Sequence, residues 1–281
     1  MRAAEQYTNM LAAVTPSVIV AAPAKINLYL HVVGRRSDGY HLLDSLVAFA
    51  GIGDTIEAAP GDTLSLSIDG PFAEGLGSGE DNLVLRAARA LAAAAGRPAA
   101  VQIRLTKRLP IASGIGGGSA DAAATLIALA RLWRLDLDAA ALAAIGLALG
   151  ADVPVCVHGR SAFFAGIGER VTPAPALPPA WLVLANPGIA LATPSVFKAR
   201  TEGFSEPGRF VGAPADAVEL AFVLKARNND LTSAAVSLAP VIGTVLAELG
   251  ALPGALLARM SGSGATCFAL FAHEREAQAA A

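Results

Sequence analysis

The sequence predicts an α+β chain, and three observations carry the prediction. Over residues 18–33, apolar Ala24, Ile26, Leu28, Leu30 and Val32 alternate with Lys25, Asn27, Tyr29 and His31. That period of two marks a strand with one apolar face. Residues 82–95 and 122–133 are rich in alanine and leucine and free of Gly and Pro, which suits helices. Residues 54–58 and 63–68 alternate over short spans between Gly-containing breaks, which suits small antiparallel strands.

Residues 1–15 read as a loose extension without the apolar core of a signal peptide. Pro23 restricts the first strand near its start, and the alternation points Lys25 and Asn27 the same way. Lys25 is one of only four lysines. On the residues alone it is either a solvent-facing side chain of a half-buried sheet or a group with a task. The polar turn GRRSDGY, tightest at Asp38-Gly39, delivers Tyr40 and His41. On the residues alone the pair reads first as a wedge between sheets with a satisfied histidine, and only second as a platform for a flat heterocycle. Residues 71–79 form a loop, the helix over 82–95 closes at Gly96 and Pro98, and 101–105 is a strand.

That strand feeds KRLPIASGIGGGSADAAATL, with Gly114, Gly116, Gly117 and Gly118 standing before a long apolar helix. Glycines let a ligand approach bare backbone, and Ser119 stands where an N-cap is expected. A helix start offers unpaired N–H groups and partial positive charge, hence an anion site with phosphate as the first ligand to consider. The loop is neither a Walker A motif, since no Gly-Lys-Ser/Thr follows, nor a dinucleotide fingerprint. A plain flexible turn is the other reading. Asp121, with Arg131 and Arg134 near the far end, fits ordinary helix-dipole pairing.

A helix over 138–149 ends at Gly150, and GADVPVCVHG is expected to turn at once into a strand. Asp152 at that junction is a local turn-former or a carboxylate pointed into a cleft. Residues 161–171 read as a strand with a Gly turn, and 173–179, with four prolines, as a connector. Residues 181–185 suggest a buried strand broken by Asn186-Pro187-Gly188. TPSVFK suggests a helix start capped by Thr193 with Pro194 at its first position. Residues 201–216 read as a mobile loop, and 217–226 and 236–249 as helices separated by Asn228, Asn229 and Asp230. Ser261 to Gly264 form a second glycine-serine turn before a buried strand over 266–271.

Composition narrows the functions. A net charge of −2 leaves no basic surplus for nucleic acid, so a small-molecule partner is expected. Hydrophobic residues make up 54%, yet no run of about 18 to 20 apolar residues occurs to span a membrane. Cys156 and Cys267 form no disulfide or ligand pattern, which fits a reducing, cytoplasmic setting. Neither a repeat nor a Cys/His metal cluster is visible.

Three motifs, PAKINLYLHVVGRRSDGYHLL, KRLPIASGIGGGSADAA and MSGSGATCFALF, together resemble the GHMP small-molecule kinases. The resemblance covers the chain from about residue 18. It implies two α+β lobes with the active site in the interlobe cleft, an ATP-binding lobe over 16–162 and a C-terminal lobe over 163–281. It implies ATP phosphates cradled by Pro110, Ile111, Ala112, Ser113, Gly114, Ile115, Gly116, Gly117, Gly118, Ser119 and Ala120, with Lys107 near the nucleotide. Lys25 and Asp152 match the catalytic pair, with Asp152 the base and Lys25 its electrostatic partner, and Asn27 shares the face of Lys25. Tyr40 and His41 match positions that stack on and hydrogen-bond to cytosine in the branch whose substrate is a cytidylated polyol. Phe197 matches the aromatic closing the other side of the base, and Thr193 a nearby polar contact. Mg2+ is expected with ATP, and Ser119 is the nearest candidate ligand. Ala112 and Ser113 depart from the pattern, since related sequences often carry glycine there.

Two other readings compete. A related kinase would phosphorylate mevalonate, homoserine or a sugar, and a nucleotide-binding protein would use the cradle without catalysis. The presence of both Lys25 and Asp152 counts against the second.

Overall fold

The computed structural model describes residues 17–111 and 113–281, so the expected extension over 1–15 and Ala112 lie outside the described residues. The first lobe is built on a six-stranded sheet. β1 (Val18–Arg35) runs antiparallel along one edge of β2 (His41–Pro60). The other edge of β2 serves two partners in turn, β5 (Ala162–Gly166) along its first half and β4 (Val101–Thr106) along its second. β3 (Ser65–Asp69) flanks β4, and β6 (Arg170–Pro173) flanks β5. β3 pairs parallel to β4, not antiparallel, because α1 (Leu83–Ala94) carries the chain back between them.

α2 (Gly117–Leu132) is the central helix of this lobe and α3 (Ala139–Leu147) follows it. The expected strand at GADVPVCVHG is instead helix α4 (Val153–His158). Pro154 sits in its first turn, where a missing N–H costs nothing, and Val153 to Val157 are all buried. This apolar run packs against α2 and α3 as a helix.

A three-stranded antiparallel sheet forms the second lobe. In it β9 (Cys267–Phe271) lies between β7 (Trp181–Ala185) and β8 (Leu257–Met260). β7 is an edge strand, so its residues are half-buried and Trp181 is exposed rather than buried. Around the sheet lie α5 (Thr193–Ala199), α6 (Ala217–Lys225), α7 (Thr232–Leu238), α8 (Val241–Ala251) and α9 (Glu274–Ala280). The single helix expected over 236–249 is interrupted by Pro240, which ends α7 and opens α8. β5 and β6 extend the first sheet beyond the expected change of lobe at 162/163, and the second sheet begins only at Trp181.

Three apolar cores follow this plan. One lies within the first lobe, and two join β1 to the second lobe, one through Ile26, Leu28 and Tyr29 with Leu220, Leu224 and Phe268, the other through Leu30 and Val32 with Leu231, Met260 and Phe271. β1 is therefore covered on both faces, and its polar residues Lys25, Asn27 and Tyr29 are buried with its apolar ones. The segment 201–216 has no regular structure but is pinned rather than free. Ser205 N–H donates to the Val32 carbonyl, Gly208 N–H to Asp44, and Arg209 pairs with Asp44 at 2.8 Å. Among the described residues no helix is long and apolar enough to cross a membrane.

Candidate active site

The glycine loop becomes a cradle through backbone geometry. The N-cap of α2 is Gly116, in the left-handed region at φ 67°, rather than Ser119, which lies inside the first turn. A Cβ on Gly116 would stand 3.1 Å from Lys25 Cε, so glycine here serves both the turn and the passage of the lysine. The first N–H groups of α2 have no partner within the helix and face a cavity of about 460 Å³. Lys107, Pro110, Ile111, Ser113, Gly114, Gly116, Gly117, Gly118 and Ser119 line it, whereas Ile115 and Ala120 are buried in the cores behind.

Lys25 and Asp152 meet at the same cavity across 127 positions of sequence. Lys25 Nζ donates to Asp152 Oδ2 at 2.9 Å and to Asn27 Oδ1 at 2.8 Å. The lysine side chain is 4% exposed and that of Asp152 32%, so the carboxylate is the partner open to a ligand. Asp152 holds the N-cap position of α4 without capping it, which leaves its oxygens for other work.

The third motif locks these parts together. Ser261 Oγ accepts from Asn27 N–H at 3.0 Å and lies 3.3 Å from the Gly114 carbonyl. Lys25 N–H donates to the Ile115 carbonyl at 2.9 Å, and Thr266 N–H to the Ser113 carbonyl at 3.0 Å. β1, the glycine loop and the second-lobe turn thus share one hydrogen-bonded seam.

Lys107 lies beneath the helix start, where a Cβ on Gly117 would stand 3.1 Å from its Nζ. Its buried ammonium is taken by two buried carboxylates, Asp54 and Asp121. Asp121 is therefore an interior ion-pair partner and not the helix-dipole residue its position suggested. Asp54 also accepts from the Arg108 and Leu109 N–H groups, which fixes the chain entering the loop. Burial first, and then the charge of Asp54, push the Asp121 carboxyl up to about 7 against the opposing effect of Lys107.

A family model described as GHMP kinases N terminal domain matches residues 82–160, and one described as GHMP kinases C terminal matches 216–281. The 4-diphosphocytidyl-2-C-methyl-D-erythritol kinase of Paramagnetospirillum magneticum is 58% identical, covering 94% of this chain and 93% of its own. That of Rhodospirillum rubrum is 56% identical over 93% and 86%. This chain belongs to the 4-diphosphocytidyl-2-C-methyl-D-erythritol kinase family of GHMP kinases. A crystal structure of a 4-(cytidine 5'-diphospho)-2C-methyl-D-erythritol kinase superposes with TM-score 0.74 at 36% identity, covering 94% of this chain and 93% of that one. Homoserine kinase from Cytophaga hutchinsonii, at TM-score 0.72 and 19% identity over 95% and 89%, shares the fold.

In this kinase Phe197 lines the cavity, while Tyr40 and His41 lie outside its lining. His41 stacks directly on Phe197, with centroids 5.0 Å apart and planes 22° from parallel, and Tyr40 is exposed. A base between His41 and Phe197 needs about 7 Å, two contact distances, so this stack has no room for one. Burial, then Arg35 and Arg200, lower the His41 pKa, which favours a neutral ring. Thr193 does not cap α5, whose N-cap is Ala192, because its hydroxyl is shared with Ser263 at 2.8 Å. Asp54, Asp121, Ser45 and Ser261 are structural members of the site that motif reading passes over. A lone carboxylate inside the alanine-rich α2 was the one visible sign.

Proposed function

We propose that this kinase transfers the γ-phosphoryl group of ATP to the 2-hydroxyl of 4-diphosphocytidyl-2-C-methyl-D-erythritol, giving the 2-phosphate and ADP in the non-mevalonate isoprenoid pathway. The observation that carries the mechanism is the Lys25–Asp152 pair at 2.9 Å beside the open first turn of α2. Asp152 takes the proton of the hydroxyl as its oxygen bonds to the γ-phosphorus and the bond to the ADP oxygen breaks. Lys25 has three N–H donors; two are held by Asn27 and Asp152, and the third serves the transferring group. The N–H groups of Gly117, Gly118 and Ser119 bind phosphate oxygens at the positive end of α2. Lys107 acts from below, holding the loop rather than the nucleotide.

Magnesium fits as an ion carried in on the triphosphate. No group of three or more His, Cys, Asp or Glu able to hold a metal exists among the described residues, and Ser119, which lines the cavity, would offer its hydroxyl to the ion. Bound there, it would supply neutralisation of charge on the phosphate oxygens. Phe197 stacks on the cytosine, Tyr40 closes on its other face, and a neutral His41 leaves its stack to hydrogen-bond the base edge. Thr193 supplies a polar contact beside it.

The test is ADP release that requires the cytidylated alcohol and does not occur with mevalonate, homoserine or galactose. Asp152→Ala should lower kcat by about 10² to 10⁴. Near-normal turnover of that variant would overturn the assignment of the base.

A further inference from the structure

We infer that Ser45, which lies outside all three motifs, is a positioning residue for phosphoryl transfer: it decides which end of the Asn27 amide faces Lys25. Ser45 sits on β2, wholly buried, opposite Leu30 of β1. The pairing of β1 with β2 slips between Asn27 and Tyr29, where three residues of β1 face two of β2. Such a bulge re-aims side chains and leaves backbone groups to find other partners. Here the Tyr29 carbonyl accepts the Ser45 hydroxyl.

A serine hydroxyl has one proton, and this one is committed to the Tyr29 carbonyl, so Oγ has only lone pairs left to offer. Asn27 answers by turning Nδ2 toward Ser45 Oγ at 2.8 Å, and its Oδ1 is thereby turned toward Lys25 Nζ at 2.8 Å. The flipped amide would set its NH2 group against an ammonium and its oxygen against a lone pair, losing both bonds between groups that are almost wholly buried. With the amide fixed, Lys25 has an acceptor on each side, Asn27 and Asp152. Its head is held where the phosphoryl group must pass. Strand packing alone requires none of this directionality.

The inference rests on the proposed roles of Lys25 and Asp152, and the experiment separates the two. Ser45→Ala, Asn27→Ala and the double variant are compared with wild type for kcat, for KM toward ATP and the alcohol, and for thermal midpoint. Ser45→Thr is the conservative rescue. Ser45→Ala is expected to lower kcat on the order of tenfold with both KM values within about twofold. Ser45→Thr restores most of kcat, and Ser45→Ala adds less than about twofold on the Asn27→Ala background. Undiminished kcat in Ser45→Ala, a loss confined to KM, or the same loss with and without Asn27 overturns the inference. If Ser45→Ala does not fold, Ser45→Cys, close in volume and weak as a hydrogen-bonding group, takes its place in the same cycle. Wild-type turnover by Asp152→Asn would sink the catalytic reading beneath, whereas full kcat in Ser45→Ala beside an inactive Asp152→Asn sinks only the role of Ser45.

Discussion

Replacing Asp121 with asparagine should remove a pH dependence from the stability of this kinase. One ammonium, Lys107, serves two buried carboxylates, and Asp54 has the better share because it also takes two backbone N–H groups. Asp121 bonds Lys107 through Oδ2 alone, and its buried Oδ1 has no partner among the described residues. With its carboxyl pushed up to about 7, the folded chain keeps a proton that the unfolded chain, with an ordinary carboxylate near 3.9, has already lost. The sign follows: stability from this group is complete below about pH 4 and is lost as pH rises through about 7. Between pH 5 and pH 8 the wild type should lose ~2–3 kcal/mol through Asp121, two pKa units at 1.36 kcal/mol each. Asparagine keeps the volume and an oxygen for Lys107 but has nothing to titrate. Urea unfolding of both proteins at the two pH values gives the difference directly, and it should move in favour of Asp121→Asn by that amount. Parallel pH slopes for variant and wild type would refute the account of the buried triad.

Gly114→Ala should destabilise the fold by about 2–5 kcal/mol and raise KM for ATP, since the residue has φ 77° and its Cβ would stand 2.3 Å from the Gly264 carbonyl oxygen; thermal melting and ATP titration check both. Asp44→Ala removes the acceptor for Tyr29 Oη, Gly208 N–H and Arg209 Nε. The loss should be about 3–5 kcal/mol, with faster limited proteolysis within 201–216 than in wild type. Phe197→Ala should raise KM for the cytidylated alcohol about tenfold through the lost stack and leave KM for ATP within about twofold. Equal changes for both substrates would place Phe197 outside the base subsite.

Where sequence patterns report local forces, they matched the fold well. The glycines ahead of α2, the helix over 82–95 and the strand over 101–105 are all consequences of neighbours within a few residues. The misread elements were decided elsewhere. VPVCVH has the valines of a strand, yet its burial against α2 and α3 made it a helix. The one-sided burial suggested for β1 failed in a similar way, because the second lobe covers Ala24, Ile26 and Leu28 while the glycine loop, Asp152 and Ser45 close over Lys25 and Asn27. Residues 201–216 read as mobile because their composition is polar, but Asp44, 164 positions before Gly208, supplies the anchor.

The site divides along the same line. Lys25, Asp152 and the loop could be proposed because resemblance supplies the distant pairing that spacing cannot. The residues that hold them in place could not, since each acts through a bond whose other end lies on another element. Asp54 looks like any carboxylate at a strand turn until Lys107 reaches it, and Ser45 like any serine in a strand until the bulge exposes the Tyr29 carbonyl. A buried charge or hydroxyl in this kinase thus has its meaning fixed by what satisfies it. A search among relatives for such supports should begin from buried polar atoms and trace their partners, because a polar group enclosed by alanine and valine persists only when something across the fold requires it.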